Sequence, residues 1–445
     1  MSKHPNQNGT NPKSTPEGIS KITISGFKSI AEEQSIEIRP LTLLAGKNSS
    51  GKSSMMQPLL LLKQTAETIY DPGALKLDGP NVQFTLAEQL LSSIVEGNRF
   101  DISLWAGMEG INFAFHKLPE GFIVESLSRL TKENASPQFR LFPDMTHEQI
   151  ASLVLPSSET AMKLIEEYRR LGLRLFTKRD RCFLRVAAET QAGHGLSFPE
   201  LLFPLIATER YIYEIIHVPG LRGTPERTYP VTAIGSTFAG KFDSYTASVI
   251  FDWQTSEQTD KINTLLNGLR LLGLTNTVEA KLINDAQVEI LVGRTLHGEA
   301  DDTVSIADVG IGVSQTLPVL VALLAAKPGQ LVYIEQPEIH LHPRAQTELA
   351  QVLAEAAERG VRVVVETHSS LLLLGIQTLV AEGKLSPDLV KLHWFEQNKR
   401  GSTTIRSADL DEGGRFGDWP EDFDDVSLNA QSRYLDAAEQ RLAGK

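Results

Sequence analysis

One octapeptide, Gly-Lys-Asn-Ser-Ser-Gly-Lys-Ser at positions 46–53, constrains this 445-residue chain more than any other feature. It fits G-x-x-x-x-G-K-[ST] and lies between an apolar run, Leu41–Ala45, and a stretch of helical texture that starts after Ser53 and reaches Thr68. A strand, a glycine loop and a helix in that order predict an α/β fold with a phosphate site at the loop. Gly46 and Gly51 let successive backbone N–H groups curl into a nest for phosphate oxygens. Lys47, Asn48, Ser49 and Ser50 complete the loop, and Ser54 follows it in the first helical turn, so all five are candidate nucleotide contacts. The helix beginning near Lys52 points its positive dipole end at the same anion. Lys52 is placed to reach the β- and γ-phosphates, and the Ser53 hydroxyl to ligate magnesium. Pro58, inside the helical run, predicts a kink or a late start.

Three later segments carry further chemistry. LVYIEQPEIHLHP (331–343) is an apolar strand ending in carboxylates, and Glu335 at its terminus is a candidate magnesium ligand. DVGIGVSQTLPVL (308–320) precedes a strongly apolar helix, with Gly310 and Gly312 permitting a tight backbone and Ser314 near the first turn. Such a helix start is an anion site, although a serine cap explains it equally well. VVVETHSS (363–370) places His368 after a buried strand, where a histidine is ordinarily a satisfied core or cap residue.

Phosphate loop, glycine–serine helix start, acidic strand and strand-end histidine follow one another in the order used by ABC-type ATPase heads. With ISGFKSI (24–30), IEQPEIHLHP, ETHS and the tail segment DEGGRFGDWPEDF (411–423), the chain resembles the RecF/SMC/OLD branch of those ATPases. Within it, the chain is similar to stand-alone bacterial proteins known as AAA family ATPases. The resemblance implies a P-loop NTPase of ABC-head type, with a mixed-sheet N-terminal lobe and a parallel-sheet C-terminal lobe. It also implies ATP and Mg2+ as cofactors. Lys52 and Ser53 would hold phosphates and magnesium, and Ser314, next to Gly312, would meet the γ-phosphate of ATP on an opposite protomer. Glu335 would be the Walker B carboxylate, ligating metal with Ser53, and His368 the switch histidine. Gln89 is the candidate for the glutamine of the loop between lobes, with Gln83 its competitor.

One position departs from that pattern. Gln336 stands where a catalytic Glu is usual, and an amide is no general base. Either hydrolysis is slow, or Glu338 substitutes, or the protein is an ATP-held clamp; slow turnover is favoured, because Gln can orient water in a loose phosphoryl transition state. The functional expectation is a dimer of heads, or a higher oligomer, that switches a nuclease or toxin effector, with anti-phage defence or genome maintenance as settings and DNA as a further partner. An ATP-dependent nuclease is the alternative. Against it, the 77 residues after His368 lack an evident E…D-x-D set, and Asp409, Asp411, Asp418, Glu421, Asp422, Asp424 and Asp425 crowd one acidic tail. A transporter's ATPase subunit is disfavoured by IEQPEIHLHP in place of an Asp-Glu-Pro run.

Composition sets the outer bounds. The net charge of −12 excludes a whole-chain basic field for nucleic acid, and the cluster within Lys163–Arg181 reads as a solvated helix face. No run approaches the roughly 18 apolar residues of a membrane span. The single cysteine, Cys182, excludes a disulfide framework and suits a reducing cytoplasm. No heptad pattern persists, so a long coiled coil is excluded. Residues 1–20 read as a disordered tail, 21–130 as the N-terminal lobe, 131–230 as a helical or mixed insertion, 231–400 as the C-terminal lobe and 401–445 as an acidic tail with a helix over Ser427–Leu442. Helices are also expected over Thr146–Gly172 and Phe198–Tyr213.

Overall fold

The computed structural model describes residues 17–131, 134–153, 170–190, 206–294 and 302–417, with isolated positions at 163, 166, 195–196 and 432–433. The helix expected over Ser427–Leu442 and the acidic positions 418–425 lie outside the described residues, apart from 432–433.

The chain opens with β1 (Ile19–Ser25), β2 (Gln34–Glu37) and β3 (Leu41–Gly46), followed by helix α1 (Lys52–Ala66). A meander of β4 (Arg99–Ala106), β5 (Glu109–Leu118), β6 (Gly121–Thr131) and β7 (Asn134–Leu141) follows. It joins the first two strands in one antiparallel sheet of order β2-β1-β4-β5-β6-β7. Turns at Gly107–Met108 and Pro119–Glu120 separate its strands, as their glycine- and proline-bearing segments predict.

After a short helix α2 (His147–Leu153), strands β8 (Leu173–Asp180), β9 (Phe183–Thr190) and β10 (Gly195–Leu196) form a small separate sheet. Over Arg174–Arg179 this corrects the reading of the basic cluster as a helix face, whereas the described Lys163 and Arg170 are helical. Arg174 and Lys178 lie on a strand whose buried positions Leu173, Leu175 and Thr177 alternate with them, and Arg179 follows near its end. Arg179 makes a two-pronged ion pair with Asp71 at 2.7 Å.

Helix α3 (Ile206–Tyr213) leads into β11 (Ile216–Val218). Then come β12 (Tyr229–Pro230), α4 (Thr246–Thr255), α5 (Thr259–Leu271), and the hairpin β13 (Val278–Asn284) and β14 (Gln287–Gly293) with β15 (Thr303–Ser305) beside it. The rest alternates helix and strand: α6 (Ile311–Ala325), β16 (Leu331–Glu335), α7 (Pro343–Glu358), β17 (Arg362–Glu366), α8 (Ser370–Ala381), β18 (Val390–Gln397) and β19 (Thr403–Ala408).

The central sheet runs β11-β16-β17-β3-β18-β19, parallel except for the last strand. Its inner strands read as continuous apolar runs because both faces are covered. Residues alternate between two cores: Leu44, Tyr333, Val364 and Phe395 face α1 and the meander, whereas Leu43, Ile334, Val363 and Leu392 face α6, α7 and α8. Helix α1 passes through Pro58 without a break, and every residue from Pro58 to Ala66 is buried, so tertiary packing outweighs the missing hydrogen bond.

Two expected boundaries cut through structure. The phosphate-loop strand β3, assigned with residues 21–130, lies inside the sheet built from the C-terminal segment. The boundary at 401 falls in the β18–β19 hairpin, and Leu410 and Phe416 still belong to the core.

Candidate nucleotide-binding site

In a parallel sheet the carboxyl ends of the strands share one edge, and here the ends of β3, β16, β17 and β18 converge there. The phosphate loop requires its glycines. Gly46 has φ 142°, and a Cβ there would stand 2.3 Å from the Phe395 carbonyl oxygen. Gly51 has φ 103°, and its Cβ would stand 2.3 Å from Thr403 Oγ1. Ser49 also adopts a left-handed backbone, φ 62°. Thr403 braces the loop from outside: its Oγ1 lies 2.9 Å from the Ser50 carbonyl oxygen and 2.8 Å from Ser29 Oγ.

A pocket of about 500 Å3 opens over this loop. Asn48, Ser49, Ser50, Gly51, Lys52, Ser53 and Ser54 line it, together with Gln336 and His368 from two further strand ends. Lys52 donates through Nζ to the carbonyls of Gly46 (3.1 Å) and Lys47 (2.9 Å). Burial lowers its pKa, opposed by the nearby charges of Glu366 and Glu338. Burial also lowers the pKa of His368, and Lys52 adds to this, against a backbone hydrogen bond with Gly46. Gln336 has φ 43°, and its N–H donates to the Glu366 carbonyl at 2.8 Å.

The remaining sequence candidates lie elsewhere. Glu335 is absent from the pocket lining; its Oε1 is 3.1 Å from His217 Nε2 and its Oε2 accepts from the Gly220 N–H at 3.0 Å. Burial would raise its pKa, but the His217 hydrogen bond and charge and the Gly220 amide hold it below the usual value. Glu338 accepts through Oε1 from Thr367 Oγ1 (2.8 Å) and the His368 N–H (2.9 Å), fixing the turn that carries the histidine. Gln89 is exposed and accepts from the Thr85 N–H at 2.9 Å, tying its own short turn. Ser314 donates to the Ile311 carbonyl at 3.0 Å and lines a different cavity with Arg222, Asp243 and Leu317. In the loop before β12, Arg227 pairs with Asp308 through both terminal guanidinium nitrogens.

Four residues beyond the sequence candidates belong to the site. Glu366 lines the pocket, and Ser53 Oγ donates toward both of its carboxylate oxygens at 3.0 Å. Tyr333 Oη donates to the same carboxylate at 2.9 Å. Burial pushes the Glu366 pKa up, and these hydrogen bonds with the Lys52 charge pull against it. Lys28 lines the pocket and donates to Gln57 Oε1 at 2.7 Å. Arg222 donates to the Gln315 carbonyl (2.8 Å) and the Gln336 carbonyl (3.2 Å), joining the start of α6 to the end of β16. Burial pushes its guanidinium down to about 10. Thr403, the brace of the loop, is the fourth.

Magnesium in nucleotide sites is held by one or two carboxylates and by phosphate oxygens rather than by an all-protein cage. The Ser53 hydroxyl and its carboxylate neighbour are a donor set of that kind. Bound there, the ion would neutralise charge on the terminal phosphates.

The chain is similar to several known proteins. Residues 41–374 match the family described as "AAA domain, putative AbiEii toxin, Type IV TA system". The Old nuclease of Escherichia phage P2 is 23% identical over 393 residues; these are 80% of this chain but 57% of the relative, so the chain spans little more than half of that protein's length. Among solved structures, an SMC head bound to the C-winged-helix domain of ScpA aligns over 88% of this chain and 98% of its own, at 12% identity and a TM-score of 0.46. The SMC head domain from Thermotoga maritima aligns over 87% and 98%, at 11% identity and a TM-score of 0.37. No helix among the described residues is long and apolar enough to cross a membrane. With its family matched over most of its length and its phosphate loop at the end of a parallel strand, the chain belongs to this AAA-domain family.

Proposed function

We propose that the chain is an ATP-driven switch whose nucleotide site closes between two heads and whose closure controls an effector. One observation carries this reading. Lys52, Ser53, Gln336 and His368 line one pocket, while Ser314 of the same chain lies outside it, at the start of a helix that offers half an anion site. A second copy supplying Ser314 and the Gly312 backbone to the γ-phosphate completes the arrangement. Ile311 and Ile339, each 50% exposed, flank that helix start and suit a surface that becomes covered. ATP then links nucleotide binding to self-association, since it favours only the closed state.

Turnover is slow. Gln336 orients water but takes no proton, and Glu338, occupied with Thr367 and His368, is no ready substitute. Two Mg2+-bound ATP molecules per head dimer are the working unit, in the cytoplasm, and the effector is a nuclease or toxin acting in anti-phage defence. The test is phosphate release by the purified protein: Lys52→Ala should abolish it, and release unchanged by that substitution would remove the site assignment.

A second reading, an ATP-dependent nuclease, is favoured by the Old nuclease relative. Among the described residues, no group of three or more His, Cys, Asp or Glu is placed to hold a metal. DNA cleavage by the protein alone, lost in Asp424→Ala with Asp425→Ala, would select this reading instead.

A further inference from the structure

Two strand ends present a carboxylate side by side: Glu335 on β16 and Glu366 on β17 are register partners. We propose that Glu366, rather than Glu335, is the carboxylate that binds the divalent cation of the nucleotide. The proposal rests on the nucleotide reading of the pocket. Glu335 serves instead as the anchor of the loop at Gly220.

Strand order is the first ground. β17 lies between β3 and β16, so Glu366 is one strand, about 4.8 Å, nearer the phosphate loop than Glu335. Occupancy is the second. Both oxygens of Glu335 are taken, one by His217 and one by the Gly220 amide, on the side away from the loop. Glu366 instead faces the Ser53 hydroxyl, the loop's own metal-ligating group, with both oxygens at 3.0 Å. The third ground is the chemistry of burial. Glu366 is 6% exposed, its hydrogen-bond partners Ser53 and Tyr333 are neutral hydroxyls, and the charge of Lys52 is set against that of neighbouring Glu335. A buried carboxylate is costly unless cations pair with it, and a divalent ion beside Ser53 adds to what Lys52 supplies. Tyr333 fixes the carboxylate from within the core, which leaves its outer edge toward the pocket.

The experiment compares ATP affinity in Mg2+ and in EDTA by calorimetry, and counts Mn2+ held in the ATP complex by electron paramagnetic resonance. Wild-type protein should bind ATP about tenfold or more tighter with metal. Glu366→Gln should lose nearly all of that gain and the bound Mn2+ signal, while its affinity in EDTA holds or improves, because a negative charge has left the phosphates. The EDTA arm thus shows that the variant is folded. If it binds nothing in EDTA, Glu366→Asp, which keeps the charge on a shorter arm, should retain metal-free binding with a reduced gain. Glu335→Gln should keep the gain within about twofold. A full gain in Glu366→Gln, or a gain lost in Glu335→Gln, overturns the assignment and leaves the nucleotide reading standing. Wild-type protein that binds no ATP in either buffer defeats both.

Discussion

The chain has two helix starts built from glycine and serine, and they are made differently. Before α1, Gly46 and Gly51 hold backbone angles that side chains avoid, pressed against Phe395 and Thr403. Lys52, Glu366 and His368 close around the loop they form. Before α6, Gly310 has an ordinary φ of −58° and open space where a Cβ would stand. Among the described residues Ser314 hydrogen-bonds only into its own turn, and Gln315 rather than a lysine follows it. Strained backbone is maintained where a phosphate must be wrapped. The second start offers an unclosed helix end, which is what a surface shared with another molecule requires.

Substitutions should separate the two starts. The largest effect is expected at the first: Gly46→Ala forces a Cβ onto a backbone oxygen and should cost about 3 kcal/mol, with loss of ATP binding, read by chemical denaturation and calorimetry. Ser314→Glu sets a negative charge where a partner's γ-phosphate would lie. It should weaken ATP-dependent self-association about 50-fold while leaving ATP affinity of the single chain within about twofold. Equal loss of both properties would mean that the two starts serve one site within one chain.

The strand beside the first start carries a pH dependence. His393 on β18 lies near the Ser407 hydroxyl and the Glu37 carbonyl, each at 2.8 Å, and burial pushes its pKa down to about 4. A histidine depressed in the folded state loses stability as pH falls below its unfolded value near 6.5. Stability should therefore drop by about 2 kcal/mol between pH 7 and pH 5, and His393→Asn should flatten that slope. Gln336→Glu restores a general base beside the first start and should raise phosphate release about tenfold. The smallest effect belongs to the second start: Gly310→Ala should alter stability by no more than about 0.5 kcal/mol. A large loss there would show that its backbone is as constrained as that of Gly46.

The same contrast explains what was legible in the sequence. The phosphate loop was readable because its requirements are local: glycine angles, a lysine and a hydroxyl all fall within eight residues. The buried parallel strands were readable as apolar runs bounded by helices. Strand order was not, and it decides which carboxylate faces Ser53, since Glu335 and Glu366 end similar strands. The pairing of His217 with Glu335 joins residues 118 apart and leaves no local trace. Gln89 was chosen as a glutamine of the right region, but its side chain is used to tie its own turn. β8 was hidden by its charge: arginines and lysines suggested a helix face, although Leu173, Leu175 and Thr177 keep a period of two. β19, TTIRSA, is a mostly polar edge strand, so it read as tail, and Thr403 went unseen with it.

The central claim is that the third phosphate brings two heads together. Its most direct test is the mass of the protein in solution, by analytical ultracentrifugation, with Mg2+ and either a non-hydrolysable ATP analogue or ADP. The account predicts a species of twice the mass with the analogue and not with ADP, and none with the analogue in Ser314→Glu. The same mass in both nucleotides, in a protein shown to bind them, would contradict it.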